Sequence, residues 1–210
     1  RSPISAIGLN VEMLEEIVGK CPGPMMGDAG DLLRGIHAEV RRLAALTDEY
    51  LTFARLPQAR PEEDSVNEML EELVSFLRPE AERRSVTLTG ELDPLIPLFY
   101  FDRDLLRRAV VNLIKNGMEA TPRGGQVRVT TRLDGGRVEV TVADTGIGIE
   151  ARHAPHLFEP FFTTKPHGSG LGLAIARQIA EEHGGTLTWE SVPDGVARFA
   201  LRVPLKAGEP

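Results

Sequence analysis

Three things are scarce or missing in this 210-residue chain: cysteine, long apolar runs and an excess of positive charge. The single cysteine, Cys21, has no intrachain disulfide partner, which suits a reducing compartment. No apolar run reaches the roughly 18 residues that a membrane-crossing helix needs. No signal peptide is legible either, so the expectation is a cytoplasmic domain with no membrane contact of its own. Lys and Arg total 24 against 31 Asp and Glu, a net charge of −7, which argues against a nucleic-acid-binding footprint. The phosphate-loop signature Gly-x-x-x-x-Gly-Lys-Ser/Thr is absent, as are internal repeats and low-complexity segments. None of the five histidines (His37, His153, His156, His167 and His183) has the partner spacing of a metal site, and all five read as structural or solvated. The opening Arg1-Ser2-Pro3 carries no initiator methionine and reads as part of a longer protein.

What is present begins with two amphipathic stretches. Ile4, Ile7, Val11, Leu14 and Val18 alternate steps of three and four, predicting a helix with a heptad seam. Gly19 to Pro24 breaks it, and Asp28 or Asp31 is placed to cap a second helix. That helix carries its seam through Leu33, Ile36, Val40, Leu43, Thr47, Tyr50 and Ala54. A hairpin of two such helices has more apolar surface than it can bury alone. Two copies would close a four-helix bundle about a two-fold axis; packing on the same chain's second domain is the alternative.

Two prolines, Pro57 and Pro61, mark a linker, and beyond it helices and strands alternate. The predicted order is a helix from Val66 to about Arg84 with Pro79 as a kink or break, strands at Val86–Leu92 and Leu98–Phe101, and a helix capped by Asp102. Val127 to Leu133 and Val138 to Val142 alternate around Asp134-Gly135-Gly136, predicting a hairpin with one buried face. A helix near Leu171–His183 and two further strands follow. The fold class is an α+β two-layer sandwich with helices on one face.

Three segments of this second part hold candidate chemistry. Asn112 and Asn116 lie four apart on one helix face, and their amide oxygens suit Mg²⁺ beside phosphate, although asparagines on a helix are usually just solvated. Gly117 in mid-helix asks for a reason such as close approach of a ligand. Asp144-Thr145-Gly146-Ile147-Gly148 follows a strand; its aspartate is able to accept from an exocyclic amine such as adenine's, or the segment is a plain turn. Gly168-Ser169-Gly170-Leu171-Gly172 enters a helix and offers an anion site at the helix start. Phe158 to Lys165 lies between the last two, either a local core cluster or the anchor of a lid that brings Lys165 to a phosphate.

In this order and spacing the four segments resemble the N, G1, F and G2 boxes of sensor histidine kinases, in a version similar to the nitrogen-regulation subgroup. The resemblance implies a GHKL-type ATP-binding domain over 65–210, a linker over 58–64, and a dimerisation and phosphotransfer hairpin over 1–57. It implies ATP and Mg²⁺ as cofactors, with Asn112 and Asn116 at the metal and Asp144 on adenine. Lys115, Gly146, Gly148, Lys165, Gly168, Ser169, Gly170, Leu171 and Gly172 would bind the nucleotide. The implied partners are a second copy of the chain and a response-regulator receiver domain. Arg1-Ser2-Pro3-Ile4 resembles the tail of the family's His-Glu-x-x-x-Pro box, so the acceptor histidine is expected three residues upstream of Arg1. Ser2 sits where relatives carry a polar residue that orients water for dephosphorylation; capping the helix is its other reading. The functional alternatives are a histidine kinase core and a degenerate ATP-binding scaffold without kinase activity.

Overall fold

The apolar steps of three and four produce α1, Pro3–Gly19, and α2, Met26–Ala54, packed against each other. The computed structural model describes residues 3–20, 26–165, 168–191 and 197–205. Cys21, Ser2 and His167 lie outside these residues. The chain divides into two compact units, Arg1–Arg55 and Leu56–Pro210. Helix α2 starts earlier than predicted, so Asp28 and Asp31 lie inside it rather than at its cap. Acidic residues near a helix start favour the helix dipole, and Asp31 also pairs with Arg34 one turn on. Val11 is buried between the helices. His37 of α2 faces two carboxylates of α1, Glu15 at 3.4 Å and Glu12 at 3.5 Å.

The second unit opens with a strand that the sequence does not announce. Glu62–Asp64 forms β1, in a stretch read above as linker, and pairs antiparallel with β3, Phe99–Phe101. Ser65 then caps α3, Val66–Arg83, by accepting from the Glu68 N–H at 3.2 Å. Pro79 neither kinks the element to a stop nor ends it. Pro79 and Ser75, whose carbonyl loses its helical donor, are both exposed, while Met69, Leu70, Leu73 and Leu77 hold the opposite side in the core.

The main sheet has the order β2-β4-β5-β7-β6, with β2 (Thr87–Glu91) parallel to β4 (Gln126–Asp134). The strands β5 (Arg137–Asp144), β7 (Ala197–Pro204) and β6 (Thr186–Ser191) continue it antiparallel. Gly135 and Gly136 both take positive φ in the β4–β5 turn, as a tight hairpin requires. Register aligns Val129 with Val142 and Phe199, and Thr131 with Val140 and Leu201. That face is covered by α3, by α4 (Arg103–Ala120) and by α5 (Gly172–Glu182).

The prediction of one buried face fails for β5, the middle strand. Glu139 and Thr141 on the other face are buried too. Glu139 is enclosed by Arg132 at 3.0 Å and Arg202 at 2.6 Å, whose side chains arch over the sheet.

Two polar residues join the helical layer. Asp102 caps α4 by accepting from Leu105 N–H at 3.0 Å, and its other carboxylate oxygen accepts from Arg60 N–H at 2.9 Å. The Asp102 N–H in turn donates to His183 Nε2 at 3.0 Å, while His183 Nδ1 lies 2.8 Å from the Ile179 carbonyl. These bonds fix a neutral His183 with its proton on Nδ1, a structural role as predicted.

Candidate functional site

Four elements meet around the C-terminal end of β5. Asp144 is the last residue of that strand and only 2% exposed. Its carboxylate accepts from the Gly146 N–H at 2.9 Å. Burial pushes its pKa up to about 6, against the smaller opposing effects of the Gly146 bond and the Lys165 charge. The chain after it turns tightly, with Gly148 at φ +73°. A Cβ on Gly146 would lie 2.5 Å from Asp144 Oδ1 and 2.7 Å from the Ala120 carbonyl oxygen. Gly117 is explained differently from the expectation: it is buried in α4, with Asp144 Cβ and Val127 against it, so helix–sheet packing requires it rather than a ligand.

The two asparagines of α4 have separate partners. Asn112 Nδ2 donates to the Gly172 carbonyl at 3.2 Å and ties α4 to the first turn of α5. Asn116 Oδ1 accepts instead from Lys165 Nζ at 2.8 Å, across 49 residues of sequence. The same ammonium donates to Glu119 Oε2 at 2.6 Å. Lys165 therefore turns inward over α4, and its charge is felt at Asp144. Lys115 is exposed on α4.

The segment carrying Lys165 is held by backbone geometry rather than by a core. Phe161 is 60% exposed and sits at φ +67°, and Gly170 at φ +69°. The Phe161 N–H donates to the Gly170 carbonyl at 3.0 Å, and a Cβ on Gly170 would strike Phe161 C at 2.4 Å. Phe162 packs between His153 and His156, and Arg177 of α5 lies over Phe158. None of the three phenylalanines is buried, which decides against the local core cluster. Gly168 N–H donates to the Lys165 carbonyl, and Ser169 Oγ accepts from Leu171 N–H. Leu171 is buried at 1% and anchors the loop. No side chain caps α5 at Leu171, so its first N–H groups are left to whatever binds there.

The chemistry of this set fits a Mg²⁺-nucleotide on the structure's own terms. It offers a buried acceptor, glycines with no room for a Cβ, an uncapped helix start, and two oxygens converging on one cation. Sequence reasoning missed Glu119, although it lies three residues after Asn116 and seven after Asn112, on the same side of α4.

The pattern of the histidine kinase-, DNA gyrase B- and HSP90-like ATPases matches residues 101–207. The chain belongs to that family. The family's ATPase unit, preceded by paired helices, is the arrangement of a sensor histidine kinase catalytic core. The chain is 33% identical over 207 residues to the sensor histidine kinase ZraS of Klebsiella oxytoca, covering 98% of this chain and 44% of that protein. It is 30% identical to the nitrogen regulation protein NtrY of Azorhizobium caulinodans, over 100% of this chain and 28% of that protein. The chain thus spans under half the length of these curated relatives. Among solved structures, the catalytic domain of the histidine kinase ThkA superposes with a TM-score of 0.65 at 29% identity, over 70% of this chain and 96% of that one. ShkA in complex with AMPPNP shares the fold over 99% of this chain and 46% of its own length, with a TM-score of 0.76 and 22% identity. ThkA in complex with the response regulator TrrA does so over 97% and 58%, at 0.71 and 24%. Among the described residues no helix is long and apolar enough to cross a membrane.

Proposed function

We propose that this chain is the core of a dimeric protein-histidine kinase of a two-component system. In this reading it binds Mg-ATP, transfers the γ-phosphoryl group to a histidine upstream of Arg1, and relays it to a response-regulator aspartate. The observation that carries the reading is the convergence of Asn116, Lys165 and the start of α5 beside the buried Asp144. The ThkA complex with a response regulator and the ShkA complex with AMPPNP support partner and ligand by likeness.

Asp144 accepts from the adenine amino group, and Gly146 keeps the pocket floor low enough for the flat base to reach it. The uncapped N–H groups of α5 and the Gly168–Gly172 loop hold phosphate oxygens. Lys165 adds a positive charge, and Asn116, with Asn112 beside Gly172, would hold Mg²⁺. When bound, that metal neutralises charge on the phosphates. Catalysis is then chiefly positioning and charge compensation. Ser2, by its place before Pro3, orients the water that hydrolyses the regulator's aspartyl phosphate.

The test incubates γ-labelled ATP and Mg²⁺ with this chain and with the chain extended by its native upstream residues. Acid-labile, alkali-stable label on the extended form alone is expected. Nucleotide binding without label on either form would replace the kinase with an ATP-binding scaffold. Label on the shorter chain would move the acceptor to one of the five histidines present.

A further inference from the structure

We propose that Glu119 is part of the divalent-cation site, completing it with Asn116, and that the Lys165 ammonium stands in that site until the metal takes its place. The inference rests on the nucleotide-binding reading above and adds to it a carboxylate which that reading does not use.

The geometry is that of an occupied cation site. An amide oxygen and a carboxylate oxygen, one helical turn apart on α4, approach a single cation at 2.8 and 2.6 Å. Both are hard oxygen donors of the kind Mg²⁺ selects, and Mg²⁺ commonly uses one or two such groups while keeping waters and phosphate oxygens. An ordinary surface ion pair between Glu119 and Lys165 is the simpler reading and would contribute at most about 1 kcal/mol. It does not account for Asn116 sharing the same ammonium, nor for a lysine 46 residues away turning inward over α4.

Charge decides the direction of the effect. Mg²⁺ and the ammonium cannot both use Asn116 Oδ1, because like charges about 3 Å apart repel strongly even under effective screening. One displaces the other. Coulomb attraction scales with the product of charges, so the Glu119 carboxylate favours a divalent ion about twice as strongly as the monovalent ammonium. Glu119 therefore biases the exchange toward the metal, and the displaced Lys165 is released toward the phosphates. A neutral residue at 119 leaves the lysine a better competitor.

The experiment measures the dissociation constant of a fluorescent trinitrophenyl-ATP in excess Mg²⁺ and in EDTA, with Mn²⁺ binding in the presence of AMPPNP followed by electron paramagnetic resonance. For Glu119→Gln the Mg²⁺ ratio, the constant in EDTA divided by that in Mg²⁺, should fall about tenfold or more, the range usual for lost supporting ligands. Affinity in EDTA should stay within about twofold, since Glu119 contacts the cation and not the nucleotide itself. Lys165→Met should keep or increase the Mg²⁺ ratio, because the competing cation is gone. If Glu119→Gln keeps the wild-type ratio while Asn116→Ala abolishes it, Glu119 is only a surface partner of Lys165 and the proposal is wrong. An equal loss in Mg²⁺ and EDTA, with a lowered melting temperature, would make Glu119 a structural residue and also overturn it. Failure of the unaltered chain to bind nucleotide at all would sink the underlying nucleotide reading, a result distinct from the other two.

Discussion

Burying a carboxylate at the end of β5 works against the fold, and Asp144 pays no such penalty when its proton stays on. Its pKa stands at about 6 against an ordinary 3.8. A raised acid pKa means that the folded state holds the proton more tightly than the unfolded chain does. The destabilisation is therefore present above about pH 6 and is relieved as the pH falls toward 3.8. Its size is roughly 2–3 kcal/mol. Asp144→Asn should raise the urea midpoint of the nucleotide-free chain at pH 8, with the advantage over wild type falling to about a third by pH 4.5 and closing below pH 3.8. The same variant should bind trinitrophenyl-ATP at least about tenfold more weakly, because a charged acceptor becomes a neutral one. Equal midpoints for both proteins at pH 8 would mean that the carboxylate is not strained in the fold. In the unaltered chain, nucleotide affinity should decline below about pH 6 as Asp144 protonates.

Elements lock one another here through backbone rather than through buried side chains. Phe161 and Gly170 both occupy left-handed conformations, and the hydrogen bond between them closes the Lys165 segment onto the start of α5. A Cβ at 170 would meet Phe161 C at 2.4 Å and the Phe162 carbonyl oxygen at 2.7 Å, so Gly170→Ala should free the segment. The expected outcome is faster proteolysis between Phe158 and Leu171 and at least tenfold weaker nucleotide binding, with the cooperative urea transition of the sandwich retained. The glycines and the phenylalanine run were legible in the sequence, because tight turns impose residue type locally. The helices were legible for the same reason: Asp102 and the apolar periods act within a few residues. What escaped depends on distant partners. Glu62–Asp64 has no strand propensity of its own and becomes β1 only through Phe99–Phe101. Glu119 acquires meaning only when Lys165 reaches it, and Gly117 only when α4 meets Val127. Glu139 reads as an outward residue until Arg132 and Arg202 cover it.

At the scale of the molecule, the helical unit leaves a heptad stripe uncovered. Ile36, Leu43 and Tyr50 of α2 lie seven apart and are 49%, 48% and 49% exposed; Ile7 and Leu14 of α1, also seven apart, are 50% and 48% exposed. Seven-residue spacing puts each set on one line of its helix, the pattern a bundle seam requires. Covering the remaining half of such a side chain contributes about 1 kcal/mol. Two copies of the five residues then supply about 10 kcal/mol, inside the roughly 4–15 kcal/mol that association costs in lost freedom. The proposed dimer is thus finely balanced on this stripe plus whatever polar contacts surround it. A charge in its middle is introduced twice by two-fold symmetry and should be decisive. Leu43→Glu is expected to sediment as a monomer at concentrations where the unaltered chain is a dimer. Nucleotide affinity should be unchanged, since the sandwich has its own core in residues 56–210. A Leu43→Glu protein that stays dimeric would move the interface to another surface. A monomeric wild-type chain would leave the stripe for a different partner.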